Sequence, residues 1–235
     1  EKELKEANAT KNMFFSIIAH DLKGPLGSFL QLLQLFKDNF NEIGNEEKLD
    51  YLNILIGLSN KTNNLLEDLL LWSRIQMNTV DFSAQKVNLI ELAQVAIDQL
   101  IQKAKEKNIK IEVEISKKLQ VNVNSNSVIT IIRNILSNAI KFSHPESTVK
   151  INAHLKEKDA IIAIQDTGLG IPEENIDKLF KIETAFSTYG TNKEKGTGLG
   201  LILCKELIQK NSGKIWLHTK EGEGTIIYFS LPMEK

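Results

Sequence analysis

Cysteine is almost missing from this chain: Cys204 is the single one in 235 residues. One thiol cannot close a disulfide within the chain and cannot build a multi-cysteine metal site, so neither staple holds the fold. Its ordinary role is that of a small apolar residue in a helix. Charge of one sign is also lacking, because 29 basic residues face 30 acidic ones for a net charge of -1. That balance gives no electrostatic case for nucleic acid or for an anionic membrane surface. No apolar run approaches the ~18 residues of a membrane span, and the first twelve residues are too polar for a secretory leader. The chain opens without Met and in helical character. It reads as a cytoplasmic piece, without membrane contact of its own, of a longer protein whose full-length form could be membrane-anchored.

What is present is helical periodicity, followed by a change of class. Over residues 1–42 apolar side chains recur three or four apart, from Phe14, Ile17 and Ile18 through Leu22 and Leu26 to Leu33 and Phe36, which predicts one long helix. Asn41 to Asn45 reads as a turn, with Gly44 as C-cap and Asn45 as the next N-cap. Glu46 and Glu47 follow where the helix dipole favours acids. A second helix then carries Leu49, Leu52, Leu55, Ile56, Leu65, Leu66, Leu69 and Trp72. Such an αα-hairpin has apolar stripes too broad for one partner to cover. Two copies would bury them as a dimeric four-helix bundle, which predicts a homodimer through residues 1–78. The alternative is a monomeric hairpin folded onto the second half of the chain.

Residues 79–84 read as a linker and 85–235 as a second domain. A helical pattern covers 89–107, and Ile109, Ile111, Val113 and Ile115 alternate as one face of a strand. A short strand at Leu119–Val123 and a helix at Ser127–Phe142 follow. Two strands, Val149–Leu155 and Ala160–Gln165, flank a charged turn. After a loop-rich stretch with a short helix near Glu173, a helix at Gly198–Asn211 and two more strands close the chain. Hairpin-linked strands among helices predict an α+β two-layer sandwich rather than a doubly wound parallel fold.

Five short stretches carry chemistry. His20 and Asp21 sit two turns from the start of the apolar pattern, with Lys23, Gly24 and Pro25 just beyond. Imidazole has an unperturbed pKa of about 6.5, so much of it is neutral and nucleophilic near pH 7. Pro25 cannot donate to the carbonyl of Asp21, which predicts a bend just below His20. Asn134 and Asn138 are four apart and share a helix face, with Lys141 on the neighbouring turn. Amide oxygens suit Mg²⁺ where phosphates already bring the negative charge; two solvated surface amides are the bland alternative. Asp166 leaves a strand in a position to accept from an exocyclic amine, and Gly168 and Gly170 would let backbone approach a flat ring. Gly196, Thr197, Gly198, Leu199 and Gly200 run into a helix, where backbone N–H groups make an anion site. The loop lacks a P-loop's Gly-Lys-Ser/Thr ending. The polar stretch before it, 187–195, would suit a lid bringing cations near phosphates. Last, Gly222 to Thr225 forms a hairpin turn, from which Thr225 could also touch phosphate. The echo of Thr167-Gly168-Leu169-Gly170 in Thr197-Gly198-Leu199-Gly200 suggests two loops doing similar work. His144, His154 and His218 have no partners at ligand spacing and read as ordinary.

In their order, these stretches resemble the cytoplasmic core of bacterial sensor histidine kinases. His20 to Leu26 resembles the family's H box and Asn134 to Phe142 its N box. Asp166 to Pro172, Gly196 to Leu201 and Gly222 to Thr225 resemble its three glycine boxes. Leu179 to Phe186 is a loose F box to which no role is given. The resemblance implies a dimerisation and phosphotransfer hairpin followed by a Bergerat (GHKL) ATP-binding sandwich. It implies that His20 attacks the γ-phosphate of ATP through Nε2, with Asp21 as general base at Nδ1–H and Lys23 beside them. By the same likeness Asn138, helped by Asn134, holds Mg²⁺. Asp166 reads the adenine amine, and Lys141, Gly168, Gly170, Gly196, Thr197, Gly198, Leu199, Gly200 and Thr225 complete the ATP site. The phosphoryl group would pass to an Asp of a response-regulator receiver. Gly24 departs from the family, where many relatives carry Thr or Asn to position water for dephosphorylating the regulator. A GHKL-type ATPase, or a non-enzymatic dimeric nucleotide-binding scaffold, is the competing expectation.

Overall fold

The structure is a computed structural model, which describes residues 22–181, 188–192, 194, 196 and 198–233. It divides into two compact units, one ending at Met77 and the other beginning at Asn78. In the first, helix α1 covers residues 22–39 and α2 runs Asn45–Gln76. The turn between them differs from expectation. The amides of Glu42 and Ile43 both donate to the Asn39 carbonyl, at 2.9 and 3.1 Å, which already closes α1. Gly44 is then extended, at φ -72°, and occupies the N-cap position of α2, so no left-handed glycine is needed. Phe36 packs on Tyr51 across the hairpin with ring centroids 5.5 Å apart, and Lys48 Nζ lies 4.3 Å above the Phe40 ring. Leu26, Leu30, Leu33, Leu49, Leu52 and Ile56 remain exposed, an apolar surface that the hairpin does not bury by itself.

The second unit opens with β1 (Gln85–Asn88), α3 (Leu89–Asp98) and α4 (Ile101–Glu106). The Asn88 side chain accepts from the Ile90 amide and caps α3. The single helix expected over 89–107 is thus two. The Leu100 amide turns back to the Ile97 carbonyl at 2.9 Å and breaks the ladder, although no Gly or Pro marks the break. Next come β2 (Lys110–Glu114), β3 (Gln120–Val123) and α5 (Ser125–Phe142), the last capped by Asn124, whose side chain accepts from Ser127 N at 2.9 Å. Strands β4 (Thr148–Lys156) and β5 (Asp159–Gln165), a short α6 (Glu173–Ile176), α7 (Gly200–Lys210), β6 (Ile215–Lys220) and β7 (Gly224–Pro232) complete the chain.

The main sheet has the order β2-β4-β5-β7-β6, parallel only between β2 and β4, and β1 pairs with β3 in a separate ribbon. Register aligns Val149 and Ile151 of β4, Ile162 and Ile164 of β5, and Ile227 and Phe229 of β7 on one face. That face is the buried one, and α3, α5 and α7 form the layer packed with it. Ile111 and Val113 belong to this face by pairing opposite Val149 and Ile151, but on the edge strand Val113 is left exposed. The opposite face carries Trp216 stacked on Tyr228 at 5.6 Å. The expected two-layer α+β sandwich is the fold observed. Among the described residues no helix is long and apolar enough to cross a membrane.

Candidate functional site

One face of α5 is apolar and buried, through Val128, Ile131, Ile132, Ile135, Leu136, Ala139 and Ile140. That pattern turns Asn134, Asn138 and Lys141 to the opposite side, where all three are half-buried. The last four carbonyls of a helix have no partner within it. In α5 every one of them is satisfied, by donors drawn from four residues spread along the chain. Ala139 O accepts from Ser143 N at 3.0 Å, and Ile140 O from Lys107 Nζ at 3.1 Å. Lys141 O accepts from Lys107 Nζ at 2.8 Å and Thr191 N at 3.2 Å, and Phe142 O from Leu169 N at 3.2 Å.

Asp166 stands beside this helix end, at the exit of β5, and is 8% exposed. Its Oδ1 accepts from Gly168 N at 2.9 Å and Thr225 N at 3.2 Å, while its own amide donates to Thr225 O at 2.9 Å. No hydrogen bond engages Oδ2 among the described residues. Burial pushes the carboxyl up from 3.8 to about 6, against the pull of the Gly168 and Thr225 amides. The site therefore holds a buried, partly satisfied carboxyl with one oxygen left for a donor. Thr225 lies at this end, its hydroxyl 2.9 Å from that of Thr219.

The glycines around Asp166 are required by close packing within the protein itself. A methyl on Gly168 would overlap the Phe142 carbonyl, one on Gly170 the Lys220 carbonyl, and one on Gly224 the Asp166 carbonyl. They bring backbone against protein backbone, wedging the loop between the end of α5 and the β6–β7 turn. Gly222 N closes the wedge on Leu169 O at 2.8 Å. The two Thr-Gly-Leu-Gly copies differ in backbone shape. Gly170 is left-handed at φ 65°, whereas its counterpart Gly200 is the first residue of α7, and there it is Gly198 that is left-handed at φ 74°.

The start of α7 supplies the second half of the site. Leu199 occupies the N-cap, and among the described residues no side chain caps the helix, whose first turn carries the positive end of its dipole. A Cβ on Gly200 would sit 3.8 Å from Asn134 Cγ, which places this terminus beside α5. Asn134 Nδ2 is buried there and has no hydrogen-bond partner among the described residues. An orphaned amide of this kind costs about 1–3 kcal/mol, a cost that a polar ligand entering from the α7 side would remove. Phosphate oxygens fit these N–H donors, whereas a divalent cation would have to be met by the amide oxygens of Asn134 and Asn138. Among the described residues no cluster of three His, Cys, Asp or Glu could hold a metal alone, so a hard cation here would arrive with anionic oxygens of its ligand.

Lys141 Nζ lies 4.3 Å over the Phe142 ring and donates to Thr188 O at 2.9 Å. Lys107, which no motif or spacing singles out, is buried beneath the same helix end. A lysine at a helix-to-strand turn carries no spacing signal, and its partners stand 33 to 87 residues away. His20, Asp21, Thr197 and Phe186 lie outside the described residues, as does most of the F box. Lys23 is exposed on α1. His154 and His218 sit on exposed positions of strands, the latter edge-on to Tyr228 at 5.6 Å.

Two family profiles match the chain. Residues 10–78 match the His Kinase A (phospho-acceptor) domain, and residues 123–235 match the histidine kinase-, DNA gyrase B-, and HSP90-like ATPase. The chain is 29% identical to phytochrome-like protein Cph1 of Synechocystis over 99% of its length, covering 30% of that protein. It is 27% identical to the sensor histidine kinase WalK of Bacillus subtilis over 99% of its length, covering 38% of that one. It thus spans about a third of the length of these curated relatives. Among solved structures, the Acinetobacter baumannii histidine kinase AdeS superposes with a TM-score of 0.75 at 19% identity, over 92% of this chain and 98% of that one. The histidine kinase ThkA, solved in complex with response regulator protein TrrA, gives 0.74 at 20% identity, over 100% of this chain and 65% of that one.

Proposed function

The chain belongs to the histidine kinases, as a phospho-acceptor domain of the His Kinase A type joined to their ATPase domain, and on that premise we propose that it phosphorylates its own His20 from ATP and passes the phosphoryl group to an aspartate of a response-regulator receiver. The observation that carries this reading is the pairing of Asp166 with the α7 terminus. One end of the site offers a buried carboxyl oxygen to an N–H donor, and the other offers an uncapped helix start beside an unpartnered amide. An adenine nucleotide has both matching groups, an exocyclic amine at one end and phosphates at the other.

In this reading Asp166 accepts from the adenine amine through Oδ2. The amides from Gly198 through the first turn of α7, with Gly196 and Thr197, cradle the phosphates, and Lys141 exchanges its Thr188 carbonyl for phosphate oxygen. Asn138 and Asn134 would hold Mg²⁺, which neutralises phosphate charge so that a nucleophile can approach. The lone pair of His20 Nε2 then attacks the γ-phosphorus. The N–P bond forms, the bond to the β,γ-bridging oxygen breaks, and ADP leaves with that electron pair. Asp21 takes the proton from Nδ1, which keeps the phosphorylated ring neutral. A copy of the chain pairs with another through the exposed apolar face of the hairpin. The chain does this work in the cytoplasm, where ATP and receiver domains are found.

Incubation with γ-labelled ATP and Mg²⁺ tests the proposal. The expected product is label on the protein that is stable to base, labile to acid, and absent from His20→Gln. Label that persists in that variant overturns the assignment of His20. Release of inorganic phosphate with no label on the protein points to an ATPase of the same fold.

A further inference from the structure

Lys107 carries an inference that rests on the kinase reading but concerns a stretch, residues 79–122, that neither family profile covers. Its side chain is 4% exposed. Four oxygens surround its ammonium: Ile140 O at 3.1 Å, Lys141 O at 2.8 Å, Thr191 Oγ1 at 2.7 Å and Glu194 Oε1 at 2.8 Å. Two are carbonyls at the negative end of the α5 dipole, and two come from the segment at 188–194. A buried cation is tolerated only when paired and fully hydrogen-bonded, and this one is both.

The same segment is fastened by further bonds around that ammonium. Thr191 Oγ1 lies 2.7 Å from Ser143 O and Thr191 N donates to Lys141 O. Glu194 folds its own loop, accepting from Asn192 N through Oε2 at 2.8 Å and from Gly190 N through its backbone carbonyl at 2.9 Å. Gly190 lies so close that a Cβ there would stand 2.6 Å from Lys141 O. Burial pushes the Glu194 carboxyl up, but the Lys107 bond, its own amide and that of Asn192 outweigh this and hold it below its ordinary value. The carboxylate therefore stays charged opposite the ammonium throughout the neutral range.

We propose that Lys107 is a positioning residue for nucleotide binding: its ammonium rivets the 188–194 segment to the C-terminal turn of α5, and so fixes the distance between that segment and Asn138 and Lys141 on the same helix. It touches neither nucleotide nor metal. Its effect passes through the two α5 carbonyls on one side and Thr191 and Glu194 on the other. The cation also completes the carbonyl satisfaction of α5, so removing it would leave Ile140 O with no donor in a buried place.

Glu194→Gln tests this with little risk to the fold, because it removes the charge and keeps the shape. Lys107→Met and the double variant complete a cycle for any that fold. Three readouts are made on the whole chain: amide exchange without nucleotide, the affinity for Mg·ATP, and thermal unfolding. In Glu194→Gln, exchange at Gly190, Thr191 and Asn192 is expected to accelerate about tenfold while Leu169, on the neighbouring Phe142 carbonyl, keeps its protection. Mg·ATP affinity is expected to fall about tenfold, a ΔΔG of about 1.4 kcal/mol, with the melting temperature nearly unchanged. Unchanged exchange at those three amides, or unchanged affinity, overturns the proposal. A loss of affinity matched by a general loss of stability and protection also overturns it, since that is a merely structural role. If the unaltered chain does not bind Mg·ATP, the kinase reading fails instead, and exchange alone decides whether the rivet exists.

Discussion

The amide of Leu169 donates to the carbonyl of Phe142 at 3.2 Å, and the room for that bond exists only because Gly168, next to Leu169, has no side chain. A methyl group there would overlap the carbonyl and come within 2.9 Å of Ser143 N. These obstacles are backbone atoms of a helix end, which do not swing aside as a side chain does.

Gly168→Ala should therefore displace the loop that holds Asp166. Overpacking costs typically 1–3 kcal/mol, and here a lost carbonyl bond adds to it, so about 3 kcal/mol is expected. Thermal unfolding reads the loss, and Mg·ATP affinity should drop more than a hundredfold. Gly222→Ala is the control for mere glycine replacement: its surroundings are open, and its cost comes only from φ 79°.

Asp166 gives the domain a pH signature. Its carboxyl titrates near 3.8 unfolded and about 6 folded, so the folded state binds the extra proton between those values. Stability should then fall as pH rises from about 4 to about 6 and level off above, by ~2–3 kcal/mol from this group. Asp166→Asn keeps an oxygen for the Gly168 and Thr225 amides and should remove this slope, leaving the nucleotide-free chain more stable at pH 7. Its amide would present N–H to the adenine amine, so Mg·ATP binding should be lost. In the unaltered chain the bound amine favours the carboxylate, and affinity should weaken below pH 6, by at most tenfold per pH unit. Calorimetric titration across pH 5 to 8 checks the slope and the proton released.

Gly24 predicts an imbalance between making and removing the phosphorylated regulator. It stands in α1 with open space around the position of a Cβ, so nothing in its surroundings requires glycine. A hydrogen atom cannot orient water. The unaltered chain should turn over its phosphorylated regulator weakly, and Gly24→Thr should raise that rate at least tenfold while helix propensity improves by a few tenths of a kcal/mol. Fast turnover by the unaltered chain contradicts the expectation.

The exposed apolar face of the hairpin predicts a dimer that charge will break. Leu30 is 63% exposed and Ile56 57%. Leu30→Glu with Ile56→Glu should shift the chain to monomer by light scattering, with a dissociation constant raised at least a hundredfold. The second unit has its own buried core and should keep its Mg·ATP affinity in this variant.

Much of this was legible in the sequence, because it is written in local periods. The Ile131, Ile135 and Leu136 stripe announces α5 and so places Asn134 and Asn138 together. The unbroken apolar run from Ala160 to Ile164 announces β5 and leaves Asp166 at its exit. The break at Leu100 had no such letter, since it rests on one backbone bond to Ile97. Lys107 was illegible for the converse reason: its four acceptors are two carbonyls that any sequence supplies and two side chains more than 80 residues downstream. The glycines of the first loop were visible, but their close packing on Phe142 and Lys220 was not, because a sequence does not say which backbone a loop approaches.

The four terminal carbonyls of α5 draw their donors from Ser143, Lys107, Thr191 and Leu169. No stretch shorter than residues 107–191 contains all of these groups. Half-assembled, the helix would end on dry oxygens, so partial folds are penalised and the domain matures in one step. Fragments or circular permutants opened inside that span should come out loose and prone to proteases, whereas openings before residue 85 or after residue 233 should be tolerated.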